Sequence, residues 1–137
     1  MIARTLEDLF VYQRALAAAN EVSAILKRIE FSKDFDLRDQ LANSSSRVPA
    51  LIAEGFEQKT DRHFAHYLYL ARGSAKETKT HLKVALNRGY VPLEDARRLW
   101  TEYDEVCAML TGLIQHLEFE DRSHRWTKHL RDGRTDD

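Results

Sequence analysis

The chain has 137 residues, enough for one domain with a real core. Its 43% hydrophobic and 31% charged content is ordinary for a soluble globular protein, and the formal net charge of −1 argues against a monomer that binds nucleic acid through global charge alone. With 5 glycines and 2 prolines the chain has few turns, which points to long helices.

The first helix is predicted over about Leu6 to Ile29, opened by Thr5 and Asp8 in the spacing of a capping box. Its apolar residues form two stripes. One holds Leu6, Leu9/Phe10 and Leu16/Ala17; the other holds Val11/Tyr12, Ala15, Ala18/Ala19, Val22, Ile25/Leu26 and Ile29. Between them Glu7, Arg14, Glu21 and Arg28 recur every seventh position as one narrow polar line. A monomer usually needs a single apolar stripe, so this helix is expected to bury more than one side.

Ser32, Asp34 and Asp36 are candidate N-caps for a second helix over about Leu37 to Glu57. Pro49 lies inside its apolar pattern and predicts a kink rather than an end. Ser44, Ser45 and Ser46 are placed to take some of the freed carbonyls. Thr60 or Asp61 opens a third helix over about 61–88, with Phe64, Leu68, Ala71, Ala75, Thr78, Leu82 and Ala85 on one face and Gly89 as terminator. Pro92, at the first helical position, starts a fourth helix over about 92–118, in which Ala96, Tyr103, Leu110 and Leu117 recur every seven residues. Short gaps between segments favour an all-α, antiparallel up-down-up-down four-helix bundle spanning 1–118. Residues 119–137 read as a charged tail, with at most a short helix at its start and a disordered DGRTDD end.

No apolar run approaches the roughly 20 residues that span a bilayer, so no membrane partner is expected. The start MIARTLEDLFVYQRA has no basic segment followed by an apolar one, and a secretory signal is not expected. The single cysteine, Cys107, has no intrachain partner, which fits a reducing, cytoplasmic setting.

Catalytic chemistry finds little support. A carboxylate-bridged metal site in a bundle needs Glu-x-x-His on two helices, and no glutamate here is followed three residues later by histidine. Asp121 and His124 are the near match, in the tail. His63 and His66 lie one turn apart and read as surface histidines rather than a metal pair. His81 follows Glu77 by four residues, the spacing of a surface hydrogen bond more often than of a dyad. Cys107 sits on the apolar seam and reads as a small core residue. Ser44 to Ser46 lack the G-x-S-x-G elbow, and neither a P-loop nor G-x-G-x-x-G is present. The reading is non-enzymatic, with no catalytic residue, metal or cofactor expected.

Charge distribution is more informative. Residues 61–90 hold six basic residues against Asp61 and Glu77, while residues 91–118 hold six acids against Arg97 and Arg98. Arg72, Lys76, Lys79 and Lys83 fall within an arc of about 60° on the third helix, a candidate nucleic-acid-binding line. The competing reading is that this line answers Glu102, Asp104 or Glu105 on the fourth helix, or is simply solvated.

The stretch Val48-Pro49-Ala50-Leu51-Ile52-Ala53-Glu54-Gly55-Phe56 resembles the signature of a bacterial four-helix-bundle family first noticed in intervening sequences of large-subunit ribosomal RNA genes. That signature reads Ser-(Ile/Val)-Pro-x-Asn-Ile-Ala-Glu-Gly. The matching residues are Val48, Pro49, Ile52, Ala53, Glu54 and Gly55; Leu51 replaces the asparagine, Arg47 is the neighbour of the Ile/Val position, and any role of the amide is lost. Asp8-Leu9-Phe10-Val11-Tyr12-Gln13-Arg14-Ala15 is similar to the family's aromatic opening. His66-Tyr67-Leu68 through Ala71, Gly73, Ser74 and Glu77, and Arg88-Gly89-Tyr90-Val91, resemble later motifs. The resemblance covers residues 5–118 and implies a ring-like homo-oligomer, with a pentamer favoured. One relative, the accessory protein of diversity-generating retroelements, binds nucleic acid and a reverse transcriptase; it is strongly basic, and this chain is not. The expectation is an oligomeric accessory protein with RNA or DNA as its candidate partner. The alternative is a scaffold or adaptor for another protein, through the surplus apolar face of helix one or the Trp126-bearing tail.

Overall fold

The computed structural model describes residues 3–131, with the side chains of His129 and Arg131 left aside. Among the described residues the elements are four α-helices and two 3-10 turns. The first helix is shorter than its hydrophobic pattern. α1 is Phe10–Ile25, with one 3-10 turn before it at Leu6–Asp8 and another after it at Ile29–Phe31. Leu9 is extended, at φ −84° and ψ 111°, and separates the first turn from α1. The Thr5 N–H donates to Asp8 Oδ2 at 3.3 Å, so this pair caps the 3-10 turn and not the helix. Periodicity could not reveal the break, because a 3-10 turn repeats its side chains every three residues, close to the helical spacing.

α2, Phe35–Phe56, begins two residues earlier than expected because Asp34 is its N-cap and accepts the Leu37 N–H at 3.3 Å. The helix runs unbroken through Pro49, which is buried. The neighbouring serines act differently from the expectation. Ser45 and Ser46 donate to the carbonyls of Ala42 and Asn43, both at 3.2 Å, rather than to the Ser45 carbonyl that Pro49 leaves unserved. Ser44 turns into the core, its hydroxyl 2.9 Å from that of Thr78 on the next helix.

α3 is Asp61–Asn87, capped by Thr60, whose Oγ1 accepts the His63 N–H at 3.1 Å. Gly89 ends it in the left-handed region at φ 79°. The Gly89 N–H returns to Leu86 and the Tyr90 N–H to Ala85, at 3.0 and 2.9 Å, so the last carbonyls are satisfied. Pro92 stands one residue ahead of its expected place, its carbonyl accepting the Ala96 N–H at 3.0 Å.

α4, Leu93–Arg131, is the largest departure. Its 39 residues make a rod of about 58 Å, and the helix does not stop at Glu118 but continues through the segment expected to be tail. The last residues, Asp132 to Asp137, expected to be disordered, lie outside the described residues.

α1 and α3 each pack on α2 and α4, so the helices follow one another around a square. Arg72 meets Thr111 and Lys79 meets Asp104, which sets α3 against α4 in opposite directions. Arg14 with Glu102 and Glu21 with Arg98 do the same for α1 and α4. Leu41, Val48, Ile52, Leu68, Leu82, Leu99, Tyr103 and Leu110 are fully buried at the centre. At one end, the α1–α2 and α3–α4 connections grip each other. The Phe31 and Tyr90 rings lie 5.2 Å apart, Arg28 Nε donates to the Tyr90 carbonyl at 3.2 Å, and Arg88 Nη1 reaches Asp34 Oδ2 at 2.8 Å.

Candidate functional site

The basic line on α3 splits in two. Arg72 leans across to α4, donating to Thr111 Oγ1 at 2.8 Å, with its guanidinium 4.9 Å from the Tyr69 ring centre. Lys79 is paired with Asp104 and lies 4.5 Å from the centre of the Trp100 ring. Lys76 and Lys83 are exposed and have no ion pair among the described residues, although Lys83 Nζ stands 5.7 Å from the same Trp100 ring. Lys83 and Arg97 flank an apolar groove of about 240 Å³, lined by Leu82, Leu86, Leu93, Ala96 and Trp100. The continuous ridge of four charges expected from spacing is therefore two free cations and two that hold α3 to α4.

Glu102 and Glu105, the other acids considered as partners for that line, are taken from the opposite side. Arg14 of α1 bridges both, at 3.0 Å to Glu102 Oε2, and these two carboxylates raise the guanidinium pKa, Glu105 more than Glu102. One helical repeat on, Glu21 pairs with Arg98 of α4. Arg28 of the same line reaches the Tyr90 carbonyl. From Arg14 to Arg28 the seven-residue polar line is thus the seam of the first helix with α4 and the adjoining turn, while Glu7 stays exposed in the 3-10 turn ahead of it. The signal was in the sequence, since Arg14 and Glu21 have the charge order complementary to Glu102, Glu105 and Arg98 in an antiparallel pair.

With its charges turned sideways, α1 presents an outward face of Phe10, Gln13, Leu16, Ala17, Asn20, Ser23 and Ala24, all exposed. No charged residue lies on that face. Phe10 is 72% and Leu16 41% exposed, which leaves part of the Leu6-to-Ala17 stripe uncovered within one chain. Leu9, assigned to the same stripe, is turned inward and only 7% exposed.

The signature residues serve packing. Val48, Pro49, Ile52 and Gly55 are buried, Ala53 is half-buried, and Glu54 is exposed. Gly55 sits where α3 crosses α2: a Cβ there would lie 2.8 Å from Tyr67 Cβ and 2.9 Å from Phe64 Cδ1. His63 turns its Nδ1 to Thr60 Oγ1 at 2.9 Å, while His66 lies edge-on to the Tyr67 ring, so the two do not converge. Among the described residues, no three His, Cys, Asp or Glu side chains gather as metal ligands. Cys107 is half-buried, and that burial raises its pKa against the opposing pull of Lys79, Lys76 and Arg72.

Sequence reasoning missed the reach of α4. Phe119, Trp126 and Leu130 are 59%, 57% and 62% exposed on its continuation. Their seven- and four-residue spacing was the available signal, masked by the balance of charges around it.

Comparison with known proteins agrees with this architecture. A protein of unknown function from the S23 ribosomal protein family of Bacteroides thetaiotaomicron has a solved structure similar to this one, with a TM-score of 0.71 at 21% identity. The match covers 76% of this chain and 97% of that one, and at this identity it shows the fold. No curated protein is similar at a significant level. The family model described as 23S rRNA-intervening sequence protein matches residues 7–112. Matched over most of its length, from the turn before α1 to the middle of α4, the chain belongs to the family of 23S rRNA-intervening sequence proteins.

Proposed function

We propose that this chain is a non-enzymatic, self-assembling accessory protein that works in the cytoplasm as a scaffold for partner molecules. The observation that supports this reading best is the uncharged outward face of α1, from Phe10 to Ala24, beside a bundle whose other helices carry charged surfaces. Desolvating such a face costs little, and a second copy can cover Phe10 and Leu16. The assembly is a closed homo-oligomer, with five copies favoured. Light scattering on the purified chain tests it. A mass several times 16.0 kDa is expected, falling toward a single chain in a Phe10→Glu/Leu16→Glu variant. A single-chain mass at micromolar concentration rules the reading out.

A second reading, RNA or DNA binding, is favoured by the free charges of Lys76 and Lys83. Each copy of an assembly repeats them, and a polyanion can touch several copies at once. Affinity then falls steeply with salt and shows little sequence preference. Arg72 and Lys79 contribute less, being engaged with Thr111 and Asp104. Filter binding of single-stranded RNA at low salt checks it, beside a Lys76→Glu/Lys83→Glu variant. Loss of binding in the variant supports it; equal binding, or none by either, leaves the scaffold alone.

A further inference from the structure

The groove between the end of α3 and the start of α4 has a charge pattern unlike the rest of that seam. Elsewhere the cations beside α4 are met: Arg72 by Thr111, Lys79 by Asp104, Arg14 by Glu102 and Glu105. In the groove they are not. Its rims carry Lys83 from α3 and Arg97 from α4, both exposed, and no acid lines it. Neither cation has an ion pair among the described residues. Glu94, one turn before Arg97, opens onto the adjoining hollow with Arg98, Thr101 and Glu102 instead. Two like charges therefore stand over one apolar trough, in a chain whose formal net charge is −1.

The floor between them is aliphatic. Leu82 is fully buried and Ala96 6% exposed, while Leu93 is left 55% exposed at the start of α4. From Leu93 to Trp100 the groove follows α4 for about 10 Å. The Trp100 ring is already met by Lys79 and Lys83, at 4.5 and 5.7 Å from its centre, so it serves as a wall more than as a free face for stacking. A volume of about 240 Å³ falls just under the roughly 300–1,000 Å³ of drug-sized ligand sites, which suits a small, slender ligand.

We infer that the groove binds a small amphiphilic anion, a carboxylate on a saturated chain of about eight carbons. The chain lies along Leu82, Leu86, Leu93 and Ala96 and takes Leu93 out of water. The carboxylate meets Arg97 and Lys83, the guanidinium offering it two parallel donors. Charges of one sign beside a low-dielectric floor focus the field on the groove, which draws an anion in and repels a cation. The two-part lining selects the class of ligand. A nucleic-acid backbone answers the cations but leaves the aliphatic floor in water. A neutral apolar molecule covers the floor but leaves Lys83 and Arg97 facing each other. A protein partner needs on the order of 1,000 Å² of contact, far more than this trough supplies.

The inference stands apart from self-assembly through α1 and shares only Lys83 with the nucleic-acid reading, so Arg97 and Leu93 carry its test. Trp100 reports occupancy in a Trp126→Phe chain, where it is the remaining tryptophan. Octanoate, octylammonium and octanol are titrated into that chain while its emission is followed. A saturable blue shift is expected with octanoate, at a Kd on the order of 0.1–1 mM, and binding at least about tenfold weaker with the other two. Arg97→Gln should weaken octanoate binding about three- to tenfold, and Leu93→Glu, which sets an acid on the floor, should abolish it. Both side chains are exposed, and far-ultraviolet circular dichroism checks that the helices persist. Equal responses to the three ligands, or no saturation by about 10 mM octanoate, overturn the inference. So does octanoate binding that either substitution leaves unchanged. A Trp100 shift with phosphatidylglycerol vesicles or single-stranded RNA but not with octanoate overturns it as well, and would assign the groove to a membrane or nucleic-acid surface.

Discussion

The Tyr90 hydroxyl donates to Asp34 Oδ2 at 2.8 Å, joining the turn after α3 to the N-cap of α2. Asp34 also accepts from Leu37 N–H and Arg88, so one carboxylate caps a helix and holds two connections together.

This arrangement makes stability pH-dependent at both ends. The Tyr90 hydrogen bond, then the Leu37 N–H and Arg88, hold the Asp34 pKa below its ordinary value, so its contribution is present above the carboxylate range and lost as pH falls through the folded-state value. The Tyr90 phenol is raised above 10.0 by the same carboxylate, so its contribution is present below that pH and lost as pH rises. Thermal melts from pH 2 to 11 should show Asp34→Asn flattening the acid limb and Tyr90→Phe the alkaline one. Parallel curves for all three proteins would remove the pair from the account.

Gly55→Ala tests the closest crossing of α2 and α3. The added methyl meets Tyr67 Cβ and Phe64 Cδ1 inside contact distance, and the Phe64 carbonyl at 3.3 Å closes the third side. Overpacking of this kind costs about 1–3 kcal/mol, against a helix-propensity gain of about 1 kcal/mol at most for alanine this close to the helix end, so a net loss is expected. Urea denaturation measures it, and a more stable variant would show that the helices part without cost.

Tyr103 is fully buried, and its hydroxyl has no hydrogen-bond partner among the described residues. Burial, aided by Glu21, pushes its pKa far above that of a free phenol. Removing the unpaired oxygen should therefore help. Tyr103→Phe is expected to stabilise the fold by about 1–2 kcal/mol, the desolvation cost of an unsatisfied hydroxyl. A destabilised variant would point to a bound water in its place.

Cys107 should react slowly with iodoacetamide at pH 8 in the folded chain and quickly in denaturant, because burial raises its pKa. Lys79→Ala removes a cation that opposes the shift and should slow labelling further. Equal rates folded and unfolded would mean the thiol is open to solvent.

The helices, their order and most of their core were legible because each buried face repeats at helical spacing. Leu41, Val48 and Ile52, and Tyr103, Leu110 and Leu117, are all buried as their pattern required. The ends were not. Leu9 breaks the first helix through its backbone angles, which leave no trace in hydrophobicity. The continuation of α4 is hard to read from sequence because a helix leaning on one neighbour needs only a thin apolar line. For the candidate site, spacing placed Arg72, Lys76, Lys79 and Lys83 on one line but could not say which of them α4 would engage. That depended on Arg14 having already taken Glu102 and Glu105, a competition between three helices.

The grip between the α1–α2 and α3–α4 connections also bears on how the chain comes together. Both hairpin turns meet at one end through Phe31, Asp34, Arg88 and Tyr90, while at the other end the chain passes from one half to the other through Glu57 to Thr60, beside the contacts of Gly55 and Phe56 with Phe64 and Tyr67. Each half is a local helical hairpin that can form quickly, and their docking is then a single step between preformed units. Lys59 lies exposed in that link. A chain cut there keeps both hairpins whole and their contacts untouched, so two separately made halves should find one another and rebuild the bundle.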